Sequence, residues 1–293
     1  MIKTWRHNRR KKGLVVCVLV LGALFSLAQC TMKLRTDDKI ARAGFEKLGV
    51  PLSLSTYQVG GYTMHYAQVG SDSLPTLFFV HGSPGSWDAF ERYMQDTALL
   101  QKFRMVSIDR PGFGFSSFGE ARNLEDQSKL IGPLLRMIEN GKPVFAVGHS
   151  LGGPMVLRLC IDYPRAFAGL VLLAASVSPE LEKPEKWRPV FFKTPLNYLI
   201  PGAMRPANEE LWYLKADLRK MEPELRQISV PIWIVHGDKD PLVPVENVNF
   251  IQQQCSNAKS MHTTIIPGAN HFIPWQHFQE IRAVLLSLPV DAK

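Results

Sequence analysis

The sequence predicts an α/β fold, a mostly parallel central sheet with helices on both faces. Short β-rich apolar runs alternate with longer segments of helical period. Several of the runs, LFFV, VFAV, LVLL and WIV, are hydrophobic without a break, as strands covered on both sides are. The 293 residues, 46% hydrophobic and 20% charged, suffice to bury one substantial core.

Taken in order, strands are expected at 62–68, 76–80, 104–108, 144–147, 169–173, 232–235 and 263–266, with helices at 87–96, 124–139, 151–162, 245–255 and 275–288. No internal repeat or low-complexity segment interrupts them. Residues 177–229, rich in proline, aromatic and charged residues, stand between two core strands, and a connection that long is usually a functional insertion. The expected organisation is a signal or membrane anchor over 1–30, a tether with one short helix over 31–51, a core of 52–176 and 230–293, and a cap over 177–229.

The net charge of +8 is concentrated at one end. Lys3, Arg6, Arg9, Arg10, Lys11 and Lys12 have no acid among them, and removing those six from the 34 basic residues leaves 28 against 26 acidic. The rest of the chain is close to neutral and has no nucleic-acid footprint. The six cations precede an uncharged run, GLVVCVLVLGALFSLAQC, the layout of an export signal and near the lower limit for spanning a bilayer.

The closing Leu27-Ala28-Gln29-Cys30 resembles the lipobox of bacterial lipoproteins, in which the signal is removed and the new N-terminal cysteine is acylated. That makes Cys30 the candidate lipid site, although Gln29 occupies a position that is normally small. Lipidation, an uncleaved anchor and ordinary signal cleavage nearby all stay open. Each implies export; the first two leave the protein attached to a membrane through its N-terminus, the third periplasmic or secreted. Cys160 and Cys255 lie in RLCIDYP and QQQCSNA, contexts without metal spacing, and are expected as unpaired helix cysteines, though export permits a disulfide.

The strand 144–147 runs into Gly148-His149-Ser150-Leu151-Gly152 and a helical pattern follows, which makes this G-x-S-x-G a nucleophile elbow. A serine hydroxyl is a poor nucleophile at neutral pH and must stand on a tight turn where a histidine takes its proton. Gly148 and Gly152 leave room for that turn, and Gly153 lets the helix approach the sheet. The strand 76–80 ends in His81-Gly82-Ser83-Pro84-Gly85-Ser86, a turn-rich loop before a helix. The backbone N–H groups of Ser83 and Leu151 are the candidate oxyanion donors.

Downstream, His236-Gly237-Asp238-Lys239-Asp240-Pro241 follows one strand and Gly268-Ala269-Asn270-His271 the last. Asp240, set before Pro-Leu-Val-Pro and a helix, is preferred as the acid over Asp238, which fits a loop-holding role. His271 is the candidate base. His65 and His262 lie in or beside strands, His81, His149 and His236 each precede a strand-end glycine and are expected to bond locally, and His277 lacks the position after the last strand.

Five motifs in order, HGxPG (81–85), DRPGFGxS (109–116), GHSxGG (148–153), HGDxDxxVP (236–244) and GxxH (268–271), resemble the α/β-hydrolase superfamily over residues 52–290. The resemblance implies the α/β-hydrolase fold, the chain order Ser, Asp, His for the triad, and a structural role for 109–116; the Arg110 guanidinium is itself a candidate to pair with a carboxylate, such as Asp109 or another loop acid. A serine at the elbow argues against haloalkane dehalogenases and soluble epoxide hydrolases, which use aspartate there. The expected reaction is hydrolysis of a carboxylic ester of small to medium, largely apolar character. A carbon–carbon bond hydrolase, a proline-releasing aminopeptidase, an acyltransferase, a cofactor-free haloperoxidase and, more remotely, a non-catalytic binding protein stay open on the same residues. No cofactor or metal is expected. Among the cap aromatics, Trp187, Phe191, Phe192, Tyr198, Trp212 and Tyr213, at least one is expected to line the pocket, whereas Lys183, Lys186 and Arg188, which could favour an anionic substrate, read first as a solvated face.

Overall fold

The computed structural model describes residues 2–290, without the side chains of 2–14 and of Cys30, so the lipid-site expectation at Cys30 lies outside the described residues. Helix α1 (Ile2–Thr31) and helix α2 (Asp38–Lys47) precede strands β1 (Ser53–Val59), β2 (Tyr62–Val69) and β3 (Thr76–Val80). A 3₁₀ turn (Trp87–Phe90) and helices α3 (Glu91–Met94) and α4 (Thr97–Lys102) lead to β4 (Arg104–Ile108), α5 (Leu124–Met137), β5 (Val144–His149), α6 (Gly152–Asp162) and β6 (Gly169–Leu173). Then come α7 (Arg188–Phe192), α8 (Met204–Met221), β7 (Ile232–Gly237), α9 (Asn247–Gln254), β8 (Met261–Ile266), α10 (Ile273–Gln276) and α11 (Phe278–Leu286).

The eight strands form one sheet in the order β1-β2-β4-β3-β5-β6-β7-β8. Strand β2 runs antiparallel to both neighbours and the pairs from β4 to β8 are parallel. The continuous apolar runs have the reason expected of them. Phe78, Val80, Ala146, Leu170, Leu172 and Ile234 pack into one core with α5, α6 and α9. Their alternating neighbours Leu77, Phe79, Val147, Val171, Leu173 and Val235 pack into another with α2, α3 and α11. Successive side chains point to opposite faces, so a strand covered on both sides is apolar at every position.

Several features differ from the expected elements: α4 and α8 were not among the expected helices, and the helix expected at 87–96 is a 3₁₀ turn followed by the short α3. Strand β1 was not among the expected strands, yet it pairs with β2 from Ser53↔Gln68 to Val59↔Tyr62 through Gly60-Gly61, both at positive φ (54° and 81°). A Gly-Gly pair between β-rich runs is the sequence signal for such a hairpin. The helix expected at 275–288 is broken at His277 into α10 and α11. The short helix expected within 31–51 is α2, and it docks on the body: Ala41 and Phe45 are buried in the second core.

Candidate active site

Strand β5 ends and α6 begins at Ser150, whose φ of 54° is rare for a residue with a side chain. Its N–H donates to Leu173 O of β6 (2.9 Å) and its carbonyl accepts from Gly153 N–H (2.9 Å), so neighbouring elements hold the turn. A Cβ at Gly152 would come 2.1 Å from Val80 O, and one at Gly148 would come 2.2 Å from Gly152 O. Only glycine permits the elbow to sit this close to β3. Leu151 places its N–H at the head of α6, where the helix dipole favours negative charge.

Ser150 and His271 line one cavity of about 760 Å³, together with Gly82, Ser83 and Leu151. His271 Nδ1–H donates to Asp240 Oδ2 (2.7 Å), and the Asp240 side chain is fully buried. Asp240 Oδ1 accepts from the amides of Leu242 (2.9 Å) and Val243 (2.8 Å). Burial pushes the Asp240 carboxyl up, but the His271 hydrogen bond and those two amides more than offset it, so its pKa lies below the usual range. Asp240 is therefore a carboxylate at neutral pH, and a donating Nδ1 leaves His271 Nε2 as the lone-pair nitrogen. Asp238 Oδ1 instead accepts from Gly268 N–H (2.6 Å), tying the two loops together.

Of the three histidines expected to bond locally, His81 and His236 do so, whereas His149 reaches the loop of His271. His149 Nε2–H donates to His271 O (3.1 Å), His236 Nε2–H to Val243 O (2.9 Å), and His81 Nδ1–H to Gly82 O (2.7 Å) while its Nε2 accepts from Arg110 N–H (3.0 Å). All three are buried and neutral. Desolvation and then the neighbouring His271 push His149 down to about 3, and desolvation, reinforced at His81 by the Arg110 cation, lowers the other two. His65, expected as a packing residue, donates Nδ1–H to Asp109 Oδ2 (2.7 Å) behind the site.

Three expectations about the surroundings are corrected. Arg110 does pair with a carboxylate, but not Asp109 or another acid of its loop; its partner is Glu210 of α8, bound through both oxygens (2.8 and 2.9 Å) with the two side chains 0% and 3% exposed. Its other donors reach His81 O, Gly82 O and Gln127 Oε1, each at 2.9 Å, so all five N–H groups are satisfied. None of the aromatics of 177–229 lines the cavity: Trp187 packs on Phe191 and Phe192 on Tyr213, and the aromatics at the mouth are Phe272 and Trp275, beside the histidine. Lys183 and Arg188, read as a solvated face, belong to the cavity wall with Glu182 and Glu185. Arg188 is closed off by Glu185 (2.5 Å), and Glu182, hydrogen-bonded to Ser176 Oγ (2.9 Å), has its pKa raised by burial.

The sequence reading also missed Leu34, Phe272 and Trp275 as cavity residues. Phe272-Ile273-Pro274-Trp275 follows His271 directly, and that adjacency was the available signal; Glu210 and Leu34 had none, being ordinary positions on a helix and in a polar stretch.

The family model for the alpha/beta hydrolase fold matches residues 75–203. The pimeloyl-[acyl-carrier protein] methyl ester esterase of Nitrosomonas europaea is 24% identical over 247 residues, 70% of this chain and 92% of that one. Lipase 1 of Psychrobacter immobilis is 24% identical over 276 residues, 80% and 86% of the two chains. Among solved structures, a membrane phospholipase A superposes with a TM-score of 0.60 at 20% identity, covering 96% of this chain and all of that one. The sheet order, the matched family model and these neighbours agree, and the chain is an α/β-hydrolase-fold protein.

Proposed function

We propose that the protein is a serine hydrolase cleaving carboxylic esters of small to medium, largely apolar substrates. The observation that carries this reading is Ser150, held at positive φ on the wall of a cavity that also contains His271 bonded to a buried Asp240. His271 Nε2 takes the Ser150 proton as Oγ attacks the acyl carbon, and the Ser83 and Leu151 amides hold the oxyanion. Collapse breaks the ester C–O bond, His271 returns the proton to the departing alcohol, and an acyl-serine remains. Water then gives its proton to His271 as it attacks the same carbon, and collapse breaks the acyl–Oγ bond, His271 returning the proton to Ser150 Oγ as the acid leaves. The esterase and lipase relatives support ester over amide cleavage.

Residues 1–30 are proposed to hold the protein at a membrane after export. Val15, Leu19, Leu21, Leu24 and Leu27 of α1 are all more than half exposed, apolar surface with no partner in a single chain. Among the described residues no helix is long and apolar enough to cross a membrane, so the mode of attachment is left to fractionation with carbonate washing and to the mass of the mature N-terminus.

The test of the activity is fluorophosphonate labelling of the purified protein beside Ser150→Ala, with turnover of p-nitrophenyl esters of graded chain length. Labelling and turnover that both vanish in the variant support the serine mechanism. A folded wild type that neither labels nor turns over sinks it.

A further inference from the structure

The stretch that follows α1 does more than connect. The Gln29 amide is spread over the segment 198–202: Nε2 donates to Tyr198 O (3.2 Å) and Ile200 O (3.3 Å), and Oε1 accepts from Gly202 N–H (3.0 Å). One residue on, Ala203 N–H donates to Met32 O (2.8 Å). The approach is close enough to demand glycine: Gly202 has φ 51°, and a Cβ there would lie 2.2 Å from Met32 O.

A second set of contacts fastens the same stretch to the other side of the cavity. Leu34 O accepts from Ser86 Oγ (2.7 Å), and Thr36 donates through both N–H and Oγ1 to Asp88 Oδ2 (2.6 Å each). The Arg35 guanidinium lies 3.8 Å from the centre of the Phe115 ring and donates to Gly114 O. Residues 29–36 thus cross from the 177–229 segment to the loops at 86–88 and 114–115. Where they cross, Leu34 lines the cavity that holds Ser150. It stands at φ 51° and is 44% exposed, an apolar side chain held in an unfavourable backbone conformation by partners on both sides.

From this arrangement we infer that residues 29–36 are a strap that builds one wall of the substrate pocket, with Leu34 a specificity-determining residue and Gln29 the residue that positions it. The inference rests on the ester-hydrolase reading of the Ser150 cavity and deepens it. An apolar wall residue gains contact only with a substrate long enough to reach it, so Leu34 selects for chain length. Gln29 lies on the N-terminal side of Cys30, so a chain cut before Cys30 loses all three of its amide hydrogen bonds. The strap keeps these bonds only in a protein that retains Gln29.

The test uses the full chain in detergent micelles and the ratio of kcat/KM for p-nitrophenyl decanoate to that for p-nitrophenyl acetate. Leu34→Ala and Leu34→Asn are compared with Leu48→Ala, which trims an exposed leucine at the end of α2 outside the cavity. Asparagine tolerates positive φ, so Leu34→Asn keeps the backbone and changes only the wall. Each Leu34 variant should lower the ratio about tenfold or more, the usual discrimination for losing a few methylene contacts, while Leu48→Ala leaves it at the wild-type value. Gln29→Ala should move it the same way by a smaller factor. Wild-type protein that is not labelled by fluorophosphonate overturns the hydrolase reading itself. Protein that is labelled, with both Leu34 variants at the wild-type ratio, overturns the strap alone.

Discussion

Strand β6 and helix α7 are five residues each, and all five of β6 are buried whereas none of α7 is. Between them the chain leaves the sheet for the segment 177–229. The body is fixed by two-sided burial repeated along every central strand. The segment is fixed unevenly: its second half is anchored by Leu214, Leu218, Met221, Leu225 and Ile228 in the core and by Glu210 on Arg110, while α7 contributes no buried residue. A region held everywhere writes its structure into its local pattern, and a region held unevenly does not. The two regions should therefore answer differently to substitution and to acid.

The largest effect belongs to the body. Asp240→Asn keeps the volume of the side chain but no longer fixes the His271 tautomer, and kcat should fall about 10⁴-fold, by analogy with other triads, with the melting temperature little changed. A loss below tenfold in steady-state kinetics would move the acid elsewhere.

Next is the joint between the regions. Glu210→Ala leaves the fully buried Arg110 without its counter-charge, and should cost about 3–5 kcal/mol in denaturant unfolding, the usual consequence of breaking a buried pair. Because Arg110 also holds His81 O and Gly82 O beside Ser83, kcat should fall with it. If Glu210→Ala unfolds like the wild type, α8 is not anchored to the body through this pair.

Acidification should act with opposite sign on the buried histidines of the body and the buried acids of the segment. His81, His149 and His236 of the body have depressed pKa values, so below about pH 6.5 the unfolded chain takes up protons that the folded one refuses. Their contribution to stability is lost as pH falls, by up to about 1.4 kcal/mol per pH unit for each. In the segment, burial raises Glu182 and lifts Asp217 to about 6, so their folded forms bind protons more readily and lose stability only as pH rises through those values. Hydrogen-exchange protection factors at pH 7 and 5.5 should drop in β3, β5 and β7 while those of α8 hold or rise; a uniform drop would erase the distinction.

The smallest effect tests the outside of the segment. Trp187 is half exposed and lies outside the cavity, so Trp187→Ala should change stability by no more than about 0.5 kcal/mol and leave the ester chain-length optimum where it was. A shifted optimum would return the aromatics to the pocket wall.

What the sequence determined by itself is what short-range backbone chemistry and two-fold periodicity encode. The strands of the central sheet, the glycine spacing of the Ser150 turn and the strand-end positions of Asp240 and His271 all follow from residues close together in the chain. The cavity wall was decided only by tertiary structure. Arg110 finds its carboxylate 100 residues away on α8, Gln29 its carbonyls and amide 169 to 173 residues away, and Leu34 reaches the Ser150 cavity because its own carbonyl is held by Ser86 and its neighbours Gln29 and Met32 by the segment opposite. A charge on a helix or a leucine in a polar stretch looks the same in sequence whether it meets solvent or a partner. Long-range packing makes that choice, because the cost of burying an unpaired charge depends on which distant group arrives to meet it.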